Sequence, residues 1–188
     1  GAIEVDGVNI KNMKREDLRE IFGMVLQDTW LFNGTIYENL EYGRFGASKA
    51  DIVEAAKVAN VHHFIKTMTD GYDMKLNEEA SNISQGEKQL LTIARAVLKD
   101  PAILILDEAT SSIDTRLEIL IQTAMRNIMK GRTSFVIAHR LSTIKNADLI
   151  LVLKEGSIIE QGNHEELMKQ GGFYKDLYNS QFAEKEEV

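Results

Sequence analysis

The sequence predicts an α/β protein in which a mostly parallel sheet carries an inserted, all-helical lobe. Three observations predict it. Pro101, the only proline, precedes Ile103-Leu104-Ile105-Leu106, a short wholly apolar run typical of a strand buried on both faces. Beyond that run, strand-like and helix-like segments alternate. Before it, from Thr35 to about Asp100, the apolar spacing is helical.

The elements follow in order. Ala2 to Ile10 alternates apolar and polar residues about Asp6-Gly7, a type I′ turn signal, and reads as a small hairpin. Ile21 to Leu26 is a strand candidate ending at Gln27-Asp28. Phe32-Asn33-Gly34-Thr35 then supplies turn chemistry and a helix N-cap, so a loop follows Gln27. Ile36 and Leu40 mark the first helix of the lobe, and Ser48-Lys49-Ala50-Asp51 opens a second as a capping box, with Ile52, Ala55, Ala56 and Ala59 on one face. Leu90, Ile93, Ala94 and Val97 define another, which Pro101 stops. After the apolar run come a helix from Asp114 to Met129 closed by Gly131, a strand from Ser134 to Ala138 and a helix from Leu141 to Asn146. A strand from Leu149 to Leu153, a turn at Glu155-Gly156, a strand from Ser157 to Gln161 and a helix from His164 onward complete the pattern. The chain thus divides into 1–33, the start of a core, 34–100, the helical lobe, and 101–188, the remainder of the core.

Composition narrows the chemistry. At 188 residues the chain can bury roughly 70% of its unfolded surface, and without cysteine it has no disulfide, thiolate ligand or cysteine nucleophile. The longest apolar runs, Ala102–Leu106 and Leu149–Leu153, fall far short of the ~18 residues that a membrane helix needs. Twenty-nine acidic against twenty-two basic residues give a formal charge of −7, which argues against a surface that wraps nucleic acid while leaving room for a local basic patch. His62 and His63 diverge on a helix, and His164-Glu165-Glu166 lacks the second histidine of a zinc site, Met168 standing in its place. No secretory or transit pattern opens the chain, which begins at Gly1.

Three features can carry chemistry. Asp107-Glu108 directly follows the buried run, and open α/β sheets bind ligands beyond the carboxyl ends of their strands. Asp107 suits Mg²⁺ or one of its waters, since that ion takes one or two carboxylates plus substrate phosphates. Glu108, on the other side of an extended backbone, can orient or deprotonate a water. The plain alternative is an Asp-Glu pair capping the next element. Asn82-Ile83-Ser84-Gln85-Gly86-Glu87 opens a long helix, and Ser84 to Glu87 is a capping box in its own right. Gly86 in the first turn costs helix propensity and lets a ligand approach the backbone N–H groups, which suits a phosphate. Finally, His139 ends its strand as Asp107 and Glu108 end theirs, so all three strand-end residues can share one sheet edge; a structural histidine is the plain alternative there.

In this order and spacing the motifs resemble the nucleotide-binding domain of ATP-binding cassette (ABC) transporters, most closely the exporter type that drives lipid, drug or peptide export. The resemblance runs along nearly the whole chain and implies a RecA-like core. Gln27 lies where the family has its Q-loop glutamine, which senses the γ-phosphate or Mg²⁺, and Ile83-Ser84-Gln85-Gly86-Glu87 is similar to the signature L-S-G-G-Q. Ile103 to Asp107 resembles the Walker B strand, with Asp107 implied at Mg²⁺ and Glu108 as the catalytic glutamate. Ser111-Ser112-Ile113-Asp114 resembles the D-loop, which places Asp114 at the dimer seam, and His139 resembles the switch histidine. Glu78 falls where exporters carry an acidic residue facing the membrane domains' coupling helices.

Three departures stand out. None of the thirteen glycines is followed by Lys, so the phosphate-cradling G-x-x-x-x-G-K-[ST] P-loop is absent, as is the upstream aromatic that stacks on adenine. The chain therefore resembles the C-terminal three quarters of a cassette, a fragment incomplete at its N-terminus, inactive alone, and lacking a strand and helix from the middle of its sheet. Gln85 and Glu87 replace the Gly and Gln of the signature, leaving Ser84 and Gly86, and Ile113 replaces the commoner leucine of the D-loop.

The resemblance implies ATP and Mg²⁺ as cofactors, with Asp107 and Gln27 at the metal. It implies transmembrane domains and a second nucleotide-binding domain as partners, and a place on the cytoplasmic face of the membrane. Two cassettes sandwich two ATP molecules, so Ser84, Gln85, Gly86 and Glu87 would act on the partner's nucleotide. Trp30-Leu31-Phe32 would form part of a docking groove for the coupling helices, packing between lobes being the plain alternative. Two rival readings are a non-transport ABC module of DNA repair or chromosome organisation, against which the acidic balance and the lack of a coiled-coil insert weigh, and a noncatalytic interaction domain on the same fold.

Overall fold

The computed structural model describes residues 1–107, 113–138 and 141–181. It divides into two compact units, 1–137 and 138–188.

The first unit opens with the hairpin β1 (Glu4–Val5) and β2 (Val8–Asn9), whose turn residues Asp6 and Gly7 both take positive φ, 50° and 78°, as a type I′ turn requires. Helix α1 (Arg15–Ile21) follows, which the apolar pattern does not foretell: it buries no residue and so carries no stripe. Strand β3 (Phe22–Val25), strand β6 (Ile103–Asp107) and strand β7 (Thr133–Ile137) form a parallel sheet in the order β3-β6-β7. Register runs Met24↔Ile105 and Val25↔Leu106, then Leu106↔Val136 and Asp107↔Ile137. Gly23 is needed because a Cβ there would collide with the Pro101 ring.

Laterally paired residues of a parallel sheet share a face. One face carries Val25, Leu104, Leu106 and Val136, which join the core formed with helices α5 (Gln85–Lys99) and α6 (Thr115–Met129). The other carries Met24, Ile105, Asp107, Phe135 and Ile137, of which Phe135 and Ile137 are each 58% exposed. The apolar run of β6 is thus buried on one face only, not on both as its composition suggests. Both helices lie on the Leu104/Leu106 side, and on the reverse Met24, Phe135 and Ile137 stay more than half exposed.

The lobe inserted between β3 and β6 shares one core with the covered face of the sheet and with α6, while Tyr42 and Phe45 stay exposed on its surface. A two-residue ladder of β4 (Gly34–Thr35) with β5 (Lys75–Leu76) adds a strand pair to what reads as helix throughout. Thr35 caps α2 (Ile36–Glu41) and Ser48 caps α3 (Lys49–Val58), each through a reciprocal box, with Glu38 and Asp51 respectively. Ile36, Leu40, Ile52, Ile65 from α4 (His62–Thr67), Leu76, Leu90 and Leu91 are fully or almost fully buried. His62 Nδ1 pairs with the Tyr72 hydroxyl at 2.8 Å, and burial pushes that phenol up to about 12.

In the second unit α7 (Leu141–Lys145) leads to the antiparallel hairpin β8 (Ile150–Lys154) and β9 (Ser157–Gly162), turned at Glu155 and Gly156 with φ of 50° and 79°. The helix expected from His164 onward is two helices, α8 (His164–Gln170) and α9 (Phe173–Gln181). Gly171 at φ 72° ends the first, and the Glu160 carboxylate accepts from the N–H groups of Phe173 (2.6 Å) and Tyr174 (2.9 Å) to start the second. Val152, Leu167, Tyr174 and Tyr178 form its core.

Candidate functional site

The parallel register places the ends of β3, β6 and β7 on one edge. Asp107 is half-buried at the last position of β6, on the open face, opposite Ile137. Gln27 is exposed two residues past Val25, which pairs with Leu106, so the loop it begins leaves from the same carboxyl edge. Glu108, Ser111, Ser112 and His139 lie outside the described residues.

Helix α5 presents its first turn through a cap. Ser84 Oγ accepts from the Glu87 N–H at 3.4 Å, and Glu87 Oε2 accepts from the Ser84 N–H at 2.7 Å, so the carboxylate sits at the positive end of the helix dipole. Both Ser84 and Gln85 are exposed. Gly86 is buried, and a Cβ there would lie 3.0 Å from Leu117 Cδ1 and 3.2 Å from Ile113 Cγ2, so close packing against α6 supplies a reason for the glycine beside that of ligand approach. The approach to the helix bends sharply: Glu79 and Ala80 adopt φ of 62° and 50°, and Lys88 Nζ holds the Glu79 carbonyl at 2.7 Å. Glu78, the expected contact to the membrane domains, is exposed. Asp114 is exposed and caps α6, its Oδ1 accepting from Arg116 N at 3.0 Å and Leu117 N at 3.1 Å.

Motif reading passes over two polar residues at the heart of this region. Arg95 is 9% exposed. Its Nε donates to the Asn39 carbonyl at 2.5 Å, its Nη1 to the Trp30 carbonyl at 2.6 Å, and its Nη2 to Asn39 Oδ1. Burial lowers the guanidinium to about 10, so it stays charged at neutral pH. Trp30, Phe32 and Tyr42 surround it with ring centroids 5.3–5.8 Å from Cζ. Asn39, fully buried, donates to the Phe32 and Thr35 carbonyls and accepts from Phe32 N. The signal was present: Arg95 falls on the stripe of Leu91 and Leu98, where a charge demands partners. Outward of this cluster Trp30 is 61% and Phe45 78% exposed, with Tyr42 between them.

The donor set fits Mg²⁺. Asp107 offers carboxylate oxygens and Gln27 an amide oxygen, both hard ligands. Among the described residues no group of three or more His, Cys, Asp or Glu makes a metal site.

A parallel sheet with Gln27 and Asp107 at its carboxyl edge and an inserted lobe that presents a capped helix behind Ser84 are the parts of an ATP-binding cassette. The family model described as ABC transporter matches residues 1–111. The chain belongs to this family. It is 57% identical over 182 residues to an uncharacterised ABC transporter ATP-binding protein of Bacillus subtilis, covering 97% of this chain and 30% of that protein. With a fatty acid ABC transporter ATP-binding/permease protein of Mycobacterium bovis it shares 56% over 177 residues, 94% of this chain and 28% of that one. With an ATP-dependent lipid A-core flippase of Syntrophus aciditrophicus it shares 50% over 184 residues, 98% and 31%. A solved structure of a bacterial Atm1-family ABC exporter with ATP bound superposes with a TM-score of 0.88 at 44% identity, over 97% of this chain and 32% of that one. The chain therefore spans about three tenths of the length of these relatives, and no described helix is long and apolar enough to cross a membrane.

Proposed function

We propose that the chain is the larger part of an ATP-binding and ATP-hydrolysing cassette that powers export, working at the cytoplasmic face of a membrane beside transmembrane domains and a second cassette. The observation that carries this reading is the common carboxyl edge of Gln27 and Asp107, with Asp107 turned to the open face of the sheet. Asp107 and Gln27 hold the metal, and bound Mg²⁺ neutralises charge that develops on the phosphates. Glu108 orients the attacking water and His139 contacts the γ-phosphate. The first turn of α5, with Ser84, Gln85, Gly86 and Glu87, faces the nucleotide of the partner cassette, where helix N–H groups favour an anion. Asp114 stands at the seam between cassettes. Of the run Trp30-Leu31-Phe32, Leu31 is buried, and the exposed ring of Trp30 joins those of Tyr42 and Phe45 as the docking patch for the transmembrane domains.

The sequence contains no P-loop, so calorimetric titration of this 188-residue chain with MgATP is expected to give no binding up to millimolar nucleotide. Joined to a P-loop segment it is expected to turn over ATP, and Glu108→Gln to abolish that turnover. Micromolar binding by the chain alone would mean that the phosphate site has been assigned to the wrong residues. Turnover surviving Glu108→Gln would remove that glutamate as the base.

A further inference from the structure

Helix α5 is fastened along its length to the segment that leads into and out of the Gln27 loop. At its C-terminal end Lys99 Nζ donates to the carbonyls of Arg19 (2.9 Å) and Phe22 (2.7 Å), where β3 begins. In its C-terminal half Arg95 takes the Trp30 carbonyl and, through Asn39, the turn from Phe32 to Thr35. At its first residue Gln85 Nε2 donates to Thr29 Oγ1 at 3.1 Å. Two side chains from opposite halves of one helix therefore hold adjacent residues of the loop.

Arginine is a costly way to fill this position if packing were its purpose. Its described partners are carbonyl oxygens and ring faces, and burying a cation there is unfavourable unless its geometry is used. What the planar fork provides, and an apolar side chain does not, is simultaneous reach to Trp30 and Asn39, with Nε closing a carbonyl at the end of α2 that helix geometry leaves open. Gln85 stands where the family signature has glycine, and its amide supplies the second hold.

We propose that Arg95 and Gln85 are positioning residues, a two-point clasp that fixes the Thr29-Trp30 step to α5 so that the loop after Gln27 and the first turn of α5 move as one body. The clasp couples the metal-side glutamine of one cassette to the helix end that faces the nucleotide of the other. This consequence rests on the cassette reading; the clasp itself needs no nucleotide and is tested without one.

Trp30 is the only tryptophan in the chain, so its fluorescence reports on this step alone. In the intact chain, Arg95→Lys keeps the charge and loses the fork. It is expected to lower Trp30 anisotropy, raise acrylamide quenching about twofold and speed amide exchange at 28–32 about fivefold, with exchange across 90–98 unchanged. Gln85→Ala, at an exposed site that the core does not need, is expected to move the same signals in the same direction by less. Equal loosening of 28–32 and 90–98 would make Arg95 a packing residue and overturn the clasp. So would unchanged Trp30 signals in Gln85→Ala together with either unchanged signals in Arg95→Lys or failure of that variant to fold. Failure of the chain joined to a P-loop segment to bind MgATP would count against the nucleotide reading and leave the Trp30 result as it stands.

Discussion

The lobe and the sheet are built from equally apolar segments and end differently. In the lobe the side chains of Ile36, Leu40, Ile52, Ile65 and Leu76 are inaccessible to solvent. In the sheet only alternate residues are covered, and Met24, Phe135 and Ile137 stand more than half exposed. The difference teaches that apolar composition records what a strand is made to pack against, whereas burial records what the chain itself supplies. The lobe's buried residues form one core with the covered face of the sheet and with α6. The sheet carries a second apolar face, with Asp107 at its end, that the described residues do not cover.

This contrast can be broken most sharply by paired substitutions. Leu40→Ala in the lobe is expected to cost about 2–5 kcal/mol in urea unfolding, because a closed core cannot collapse onto the void, while Phe135→Ser on the open face should change stability by less than about 0.5 kcal/mol. A comparable loss from Phe135→Ser would mean that the face is covered. Gly86→Val, which forces a side chain against Ile113 and Leu117 where α5 meets α6, should cost about 1–3 kcal/mol by the same measurement.

Ser48→Ala should cost about 1 kcal/mol at neutral pH. Its acid behaviour sharpens the comparison. The Ser48 hydroxyl and N–H hold the Asp51 carboxyl below its usual range, and the Thr35 N–H and hydroxyl do the same for Glu38. A lowered folded pKa contributes stability that is full above the ordinary carboxylate value and is lost as pH falls through the lowered one. The lobe should therefore weaken below about pH 4, and removing Ser48 should flatten that limb of the stability profile. The smallest effect is expected on the covered face of the sheet, where Ser134 Oγ is buried without a partner: Ser134→Ala should gain up to about 1 kcal/mol in thermal or urea unfolding.

Local chemistry made much of this legible. Asp6-Gly7 and Glu155-Gly156 announced their turns because positive φ restricts residue choice, and the Ser48 and Ser84 boxes announced helix starts because reciprocal caps need fixed spacing. Pro101 and the run behind it announced β6. What stayed hidden depends on partners distant in sequence. Helix α1 has no buried stripe to read, and the division into α8 and α9 turns on Glu160 reaching the start of α9 across the end of a hairpin. Arg95 and Asn39 find each other across 56 positions, so neither looks like part of a site when read within its own helix. Of the candidate site, the order of motifs was readable only through its resemblance to the cassette family. The shared edge of Gln27 and Asp107 needed the parallel register.

The pairing of Phe22 with Ile103 has a further consequence for how the chain reaches this form. β3 emerges early and has no sheet partner until the whole lobe has been made, and an unfolded segment of that length would charge a large closure entropy to the first parallel contact. The lobe's own contacts are comparatively local, and once it has folded, its two ends leave side by side. The insertion then acts as a splint that presents β3 to β6. Slowing the lobe, as Leu40→Ala would, should delay assembly of the sheet in refolding kinetics, although no residue of the sheet has been touched.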